Sequence, residues 1–372
     1  RKAFREAMEN LGYRKAASAE EASLCLRMHQ DKKSAWLSLA MEMPEDLDKE
    51  MELLCKIAAE MHTPILYFMN FDSDFLYVAA TDGKNVQHVH VGFIDEDDDE
   101  ENAEAMQSLS NAVVKAGADL GVIFDADCDR AAIVDASGRE INRNRLIALI
   151  SAILLDKKPG ATIVTDSVTS SGLARFIMEW GGVHYRFKRG YRNVIDEAVR
   201  LNEAGIDCPL AIETSGHAAL RENNFLDDGM YLATVLICEA MRLKQEGKSL
   251  SDLLEGLKEP KESVEIRLNI TESDFRTVGR AAIEKVMEYA AFAPGWHIAP
   301  DNREGIRISF DLDGEMDNGW FLLRLSVHDP VLPLNIESDV EGGVKYMANA
   351  LYKVLANAEG IDFSNLEKYI AQ

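Results

Sequence analysis

Apolar residues recur along this chain with a spacing that changes from one stretch to the next. Phe4, Met8 and Leu11 fall at helical spacing, and Leu53, Ile57, Ala58 and Met61 do so again within 45–61. Residues 63–71 and 75–80 read as strands around the turn Asp72–Ser73–Asp74, and 86–93 as a third strand behind the hairpin turn Thr81–Asp82–Gly83. The acidic run from Asp95 to Glu101 ends this pattern. Such a block repels itself and reads as a solvated loop or linker.

Beyond it, strands and helices alternate. A helix is expected over 103–115, with Met106, Leu109 and Val113 on one face, followed by buried strands over 120–124 and 131–134. A helix over 145–155, a strand over 162–165, a helix over 172–180, a strand over 184–187 and a strand over 209–212 continue the series, and a helix over 228–245 closes it. This alternation predicts α/β layers on a largely parallel sheet. From Val264 onward the texture is α+β, with strands near 264–268, 306–310, 320–325 and 334–337 and helices over 274–289 and 344–356. The expected fold is a multi-domain chain of mixed α/β layers. Its divisions are a small α+β unit over 1–94, a partial domain over 95–140, an α/β domain over 141–258 and a C-terminal α+β domain over 259–372.

Composition narrows the function classes. With 372 residues, 47% of them hydrophobic, the chain has material for packed cores in several domains. A formal charge of -24 argues against nucleic-acid binding, which needs a basic surface, and against an anionic membrane. It leaves room for an anionic small molecule held by a local group of cations. Cys25, Cys55, Cys128, Cys208 and Cys238 are odd in number and scattered, as expected of reduced thiols in the cytoplasm. The apolar run from Leu146 to Leu155 is too short to span a bilayer.

The strongest chemical signal is Phe124-Asp-Ala-Asp-Cys-Asp-Arg130. Asp125, Asp127 and Asp129, at i, i+2 and i+4 on the end of a buried strand, can converge oxygen ligands on a hard divalent cation. An EF-hand starting at Asp125 would need Gly and Glu where Arg130 and Ala136 stand. A polar turn between strands is the other reading, although α/β sheets place their sites at such carboxyl ends. Arg130 is suited to a transferring phosphoryl group.

Three further segments carry candidate chemistry. Glu213-Thr-Ser-Gly-His217 offers Glu213, Ser215 and His217 as acceptor, hydroxyl and imidazole, a set suited to sugar hydroxyls; a capping serine and a surface histidine would look the same. Arg186, Lys188, Arg189 and Arg192 bracket Gly190 in an otherwise acidic chain, which also fits a solvated basic loop. Arg324-Leu-Ser-Val-His-Asp-Pro330 combines Arg324, Ser326 and His328 with a turn, as a phosphate cradle or a structural turn. In the first 94 residues, Asp72 and Asp74 fit an Asx-type turn, and His88 and His90 share a strand face but do not close a zinc site.

Taken in order, these motifs resemble the α-D-phosphohexomutase family of phosphoglucomutases and phosphomannomutases over roughly residues 100–360. Asp125 to Arg130 is similar to the family's DGDxDR magnesium loop, with Ala126 and Cys128 as spacers. Glu213 to His217 is similar to its E-x-S-G-H sugar loop, and Gly190-Tyr-Arg192 to its G-[FY]-[KR] segment. Arg324 to Pro330 sits where the family has R-x-S-G-T-E-P, with Val327-His328-Asp329 replacing Gly-Thr-Glu. No T-A-S-H-[NL]-P string, whose serine carries the phosphoryl group in the family, occurs in the chain.

The resemblance implies a magnesium-dependent intramolecular phosphotransferase, an isomerase acting on hexose phosphates in carbohydrate metabolism. Asp125, Asp127 and Asp129 would bind Mg2+, and Arg130 and His217 would be catalytic. Arg192, Glu213, Ser215, His217, Arg324, Ser326 and His328 would bind substrate. Without the serine loop the chain is expected to bind but to transfer poorly. A sugar-phosphate-binding or regulatory module, with residues 1–94 contacting a protein partner, is the alternative expectation.

Overall fold

In the computed structural model, side chains are described for residues 105–371 except Ala126 and His328, and for 10, 52 and 54–59; elsewhere strand backbones within 26–94 and the start of one helix are described. The expected turns at Asp72–Asp74 and Asp82–Gly83, the side chains of His88 and His90, and His328 lie outside the described residues. The chain divides into two compact units, residues 1–126 with 134–140, and residues 127–133 with 141–372.

In the first unit, β1 (Leu26–His29) and β2 (Ser38–Met41) form a two-stranded antiparallel sheet. β3 (Ile65–Phe71), β4 (Phe75–Thr81) and β5 (Val86–Ile94) form an antiparallel meander, and β6 (Leu120–Asp125) pairs with β5 in parallel. β7 (Ala131–Asp135), through which the division passes, and β8 (Glu140–Ile141) complete the order β3-β4-β5-β6-β7-β8. The connection from β5 to β6 is helix α1 (Asp99–Ala116), as a parallel pair requires. The helix takes in the second half of the acidic run that reads as a linker; acidic residues at a helix N-terminus complement its dipole.

The second unit holds two sheets. In the first, β9 (Thr162–Thr165) lies between β10 (Val183–Arg186) and β11 (Leu210–Ile212) in parallel, and β12 (Ala218–Leu220) adds an antiparallel edge. Helices α2 (Arg143–Lys157), α3 (Ser171–Glu179), α4 (Tyr191–Glu203) and α5 (Gly229–Gln245) accompany it. Every residue from Leu146 to Leu155 is buried, so α2 is apolar all round because it is enclosed all round. Helix α4, for which the sequence pattern sets no expectation, begins within the basic segment at Tyr191. Val194, Ala198 and Leu201, at i, i+4 and i+7, pack with Val164 and Ala211 beneath it.

The C-terminal sheet runs β14-β15-β16-β17-β13-β18, from β13 (Glu262–Ile270), β14 (Trp296–Ile298), β15 (Ile306–Leu312), β16 (Glu315–Leu323), β17 (Val331–Ser338) and β18 (Ile361–Asp362). Helices α6 (Phe275–Ala290), α7 (Gly343–Leu355) and α8 (Ser364–Ala371) cover one face, and Leu268, Phe321, Leu334, Met347 and Leu351 form the core between. The β16–β17 connection is the Arg324–Pro330 loop. Among the described residues no helix is long and apolar enough to cross a membrane, and Cys208 and Cys238 are free thiols.

Candidate functional site

The aspartate loop begins where β6 ends. Asp125 is fully buried, Asp127 exposed, and Asp129 half-buried. Within this loop each of the three offers one carboxylate oxygen, all within 4.8 Å of one another. An all-oxygen donor set of this charge suits a hard dication, whose presence would offset the mutual repulsion. Cys128 takes a left-handed φ of +63°, so the chain turns sharply between Asp127 and Asp129.

The second element is the Glu213–His217 turn between β11 and β12. Glu213 N–H donates to His217 O at 2.9 Å, and Gly216, at φ +103°, completes the reversal. The turn is paired with the aspartate loop through an antiparallel bridge between Arg130 and His217. His217 Nδ1 lies 2.8 Å from Asp227 Oδ2 and 3.7 Å from Asp129 Oδ2, and its ring stacks on Tyr191 with centroids 5.1 Å apart. Burial by itself lowers the imidazole pKa, but the hydrogen bond and charge of Asp227, with Asp129 and Glu213, outweigh it and raise the pKa above its ordinary value.

Glu213 is buried, and its Oε1 accepts the Gly190 N–H at 2.6 Å, tying the sugar-type loop to the start of α4. Burial and then the charge of Asp166 push its pKa up to about 7, against the Gly190 N–H and the cations Arg189 and His217. Asp166 lies at the carboxyl end of β9, fully buried, and its Oδ2 accepts from Thr214 Oγ1 at 2.7 Å. Ser215 is exposed, with its hydroxyl 3.4 Å from Glu213 Oε2.

The third element is cationic. Glu304 Oε2 accepts from Arg189 N–H at 3.1 Å and from Ser167 Oγ at 2.6 Å, so the basic segment meets the C-terminal sheet there. Arg324, next to β16, is depressed in pKa first by burial and then by the charge of Arg189, with Glu304, Glu265 and Asp166 opposing. Its Nε is shielded from solvent and makes no hydrogen bond among the described residues. A half-buried guanidinium that feels the charge of a second arginine is a site that an anion would complete. Ser326 Oγ accepts the Asp329 N–H at 3.2 Å, while Val327 is 66% exposed. Arg186, by contrast, is engaged with Asp301 at 2.5 Å and with the Ser170 carbonyl, and Arg192 is exposed on the first turn of α4.

Of the residues singled out in the sequence, the structure therefore brings Asp129, Arg130, Glu213 and His217 together and sets Arg324 against Arg189. Sequence reasoning missed Asp166, Thr214, Tyr191, Asp227 and Glu304. Asp227-Asp-Gly229 before an apolar helix reads only as a cap, and the others become partners only through the fold.

Residues 142–260 match the family model of phosphoglucomutase/phosphomannomutase, alpha/beta/alpha domain III. A phosphomannomutase/phosphoglucomutase of Pseudomonas syringae pv. tomato is 30% identical over 254 residues, 68% of this chain and 50% of that protein. A phosphoglucomutase of Neisseria gonorrhoeae is 27% identical over 258 residues, 69% of this chain and 52% of its own length. Among solved structures, a phosphoglucomutase/phosphomannomutase family protein from Burkholderia thailandensis superposes with a TM-score of 0.56 at 27% identity, covering 69% of this chain and 50% of that one. The chain spans about half the length of the curated relatives it matches. With the matched domain, these relatives and the shared strand–helix architecture, the chain belongs to the α-D-phosphohexomutase family.

Proposed function

We propose that this chain carries the metal- and sugar-binding half of a phosphohexomutase, which moves a phosphoryl group between the 1- and 6-positions of glucose or mannose phosphates. In this reading residues 141–258 bind the sugar and residues 259–372 hold the non-reacting phosphate. The observation that supports it best is the Arg130–His217 bridge, which sets the aspartate loop beside the sugar-type loop.

Asp125, Asp127 and Asp129 would hold Mg2+, which supplies positive charge to a phosphoryl group in transfer. Arg130 adds a fixed cation on the same loop. Glu213 and Ser215 engage ring hydroxyls. A carboxyl with a pKa near 7 is poised to accept or return a hydroxyl proton at neutral pH. His217 is held in orientation by Asp227, and Arg324 with Arg189 and Ser326 receives the distal phosphate. Arg192 and His328 complete the substrate-binding set, and the cytoplasm is the expected compartment.

Titration calorimetry of the full chain with glucose 1-phosphate and mannose 1-phosphate, with and without Mg2+, tests this reading. Saturable binding that Mg2+ strengthens, and that Asp129→Asn makes insensitive to Mg2+, is expected. No binding of either ligand under any condition would refute it.

A further inference from the structure

Helix α5 starts against the aspartate loop, and its first residue has no room for a side chain. A Cβ built on Gly229 would lie 2.6 Å from the carbonyl carbon of Arg130, 2.7 Å from its oxygen and 2.9 Å from Cys128 O. Those neighbours are backbone and cannot swing away. Gly229 N–H donates to Cys128 O at 3.1 Å, so the helix start both touches the loop and hydrogen-bonds it. Two residues earlier, Asp227 Oδ2 holds His217 Nδ1 at 2.8 Å. Asp227 also bridges Ala219, and Asp228 N–H donates to Ala218 O at 3.2 Å.

The turn is itself fixed. Asp228 caps α5 by accepting the Tyr231 N–H at 2.8 Å, and its other oxygen accepts from Asn223 at 2.8 Å. Gly216 closes the ring from the opposite side, since a Cβ there would lie 3.1 Å from Ala131 O. The backbone of 128–131, the 213–217 turn and the 227–229 turn thus form one closed body, with Asp129 and His217 projecting from it 3.7 Å apart. A shift of one loop must move the other, because packed elements transmit displacement rather than absorb it.

We infer that Asp227 and Gly229 are positioning residues that couple the metal loop to the sugar loop, so that cation and hexose phosphate bind cooperatively through the 227–229 turn. Gly229 holds the Cys128–Arg130 backbone in place, and Asp227 holds the imidazole. The inference rests on the functional reading above. Coupling is reciprocal, so each ligand tightens the other by the same factor. A direct metal–phosphate contact would also produce tightening, and the charge of Asp227 lies close to Asp129, but both would be changed alike by Asp227→Ala and Asp227→Asn.

The test measures glucose 1-phosphate affinity of the full chain by calorimetry at zero and saturating Mg2+. For the unaltered chain, tightening on the order of tenfold is expected, within the usual span of such couplings. In Asp227→Ala the ratio of affinities with and without Mg2+ falls toward one, whatever the metal-free affinity becomes; Asp227→Asn, which keeps an acceptor for the ring, restores the ratio. Gly229→Ala weakens Mg2+ binding itself on the order of tenfold, with circular dichroism reporting the fold. If Gly229→Ala does not fold, the Asp227 pair decides. Equal tightening in Asp227→Ala and the unaltered chain overturns the inference, as does hexose-phosphate binding that Mg2+ never tightens. Absence of hexose-phosphate binding altogether overturns the functional reading and the inference with it.

Discussion

In the proposed reading the Glu213–His217 turn and the Arg324–Pro330 loop both serve a sugar phosphate, yet they are held in opposite ways. The first is bridged to Arg130 and closed against Ala131 by a glycine that admits no side chain. The second is tied at its base, where Arg324 N–H donates to Pro333 O and Ser326 N–H to Val331 O, while Val327 projects into solvent. Its cation, half-buried, is depressed in pKa by burial and by the charge of Arg189. One loop is complete as folded and the other is electrostatically unfinished, which suits a rigid sugar platform and a phosphate grip that closes on its ligand.

The largest expected effect lies on the unfinished side. Arg324→Ala should weaken glucose 1-phosphate binding by about 30-fold, roughly 2 kcal/mol for a lost charge-assisted contact, with little change in melting temperature. Arg192→Ala, on an exposed side chain, should cost less than about threefold. Equal losses in the two variants, measured by calorimetry, would dissolve the distinction between a half-buried grip and a surface charge.

On the complete side the expected effect is on stability. Gly216→Ala forces a side chain onto φ +103° and toward Ala131 O, and should destabilise the chain by about 1.5–2 kcal/mol in a denaturant titration. An unchanged midpoint would mean that the turn is not pinned.

The smallest effect is a pH dependence. Glu213 holds its proton up to about pH 7 when folded and releases it near its ordinary value when unfolded, so the folded state binds more protons between those limits. Stability from this group is present below about pH 4.5 and is lost as pH rises through 7. Glu337, buried and likewise raised to about 7, contributes in the same sense. His184, depressed in pKa by burial, contributes in the opposite sense, so the share of Glu213 is read as a difference: from pH 5 to 8 the denaturation midpoint of the unaltered chain should fall relative to that of Glu213→Gln. A rise relative to that variant would contradict the assignment.

The parts of the site that were legible in the sequence are those written in contiguous residues. Asp125, Asp127 and Asp129 are spaced to converge, Glu213 to His217 form one turn, and most strands are visible from their apolar runs. Helix α4 was hidden by charge: Arg192, Asp196, Arg200 and Glu203 surround a buried face of Val194, Ala198 and Leu201 that also takes in the charged Glu197. The choice among the basic residues also needed the fold. Arg189 and Arg192 look alike in the chain, but in the fold the charge of Arg189 acts on Arg324 and Glu213 while Arg192 stays in solvent. Asp166 and Asp227 each become partners of the sugar-type loop only because β9 and the start of α5 end beside it.

The central claim is that one site holds the cation and the hexose phosphate together. Mn2+ in place of Mg2+ tests it through the phosphorus relaxation of bound glucose 1-phosphate, since paramagnetic enhancement falls steeply with distance. Strong enhancement in the unaltered chain, abolished by Asp129→Asn, is the predicted result. Binding of the sugar phosphate with no enhancement by Mn2+ would contradict it.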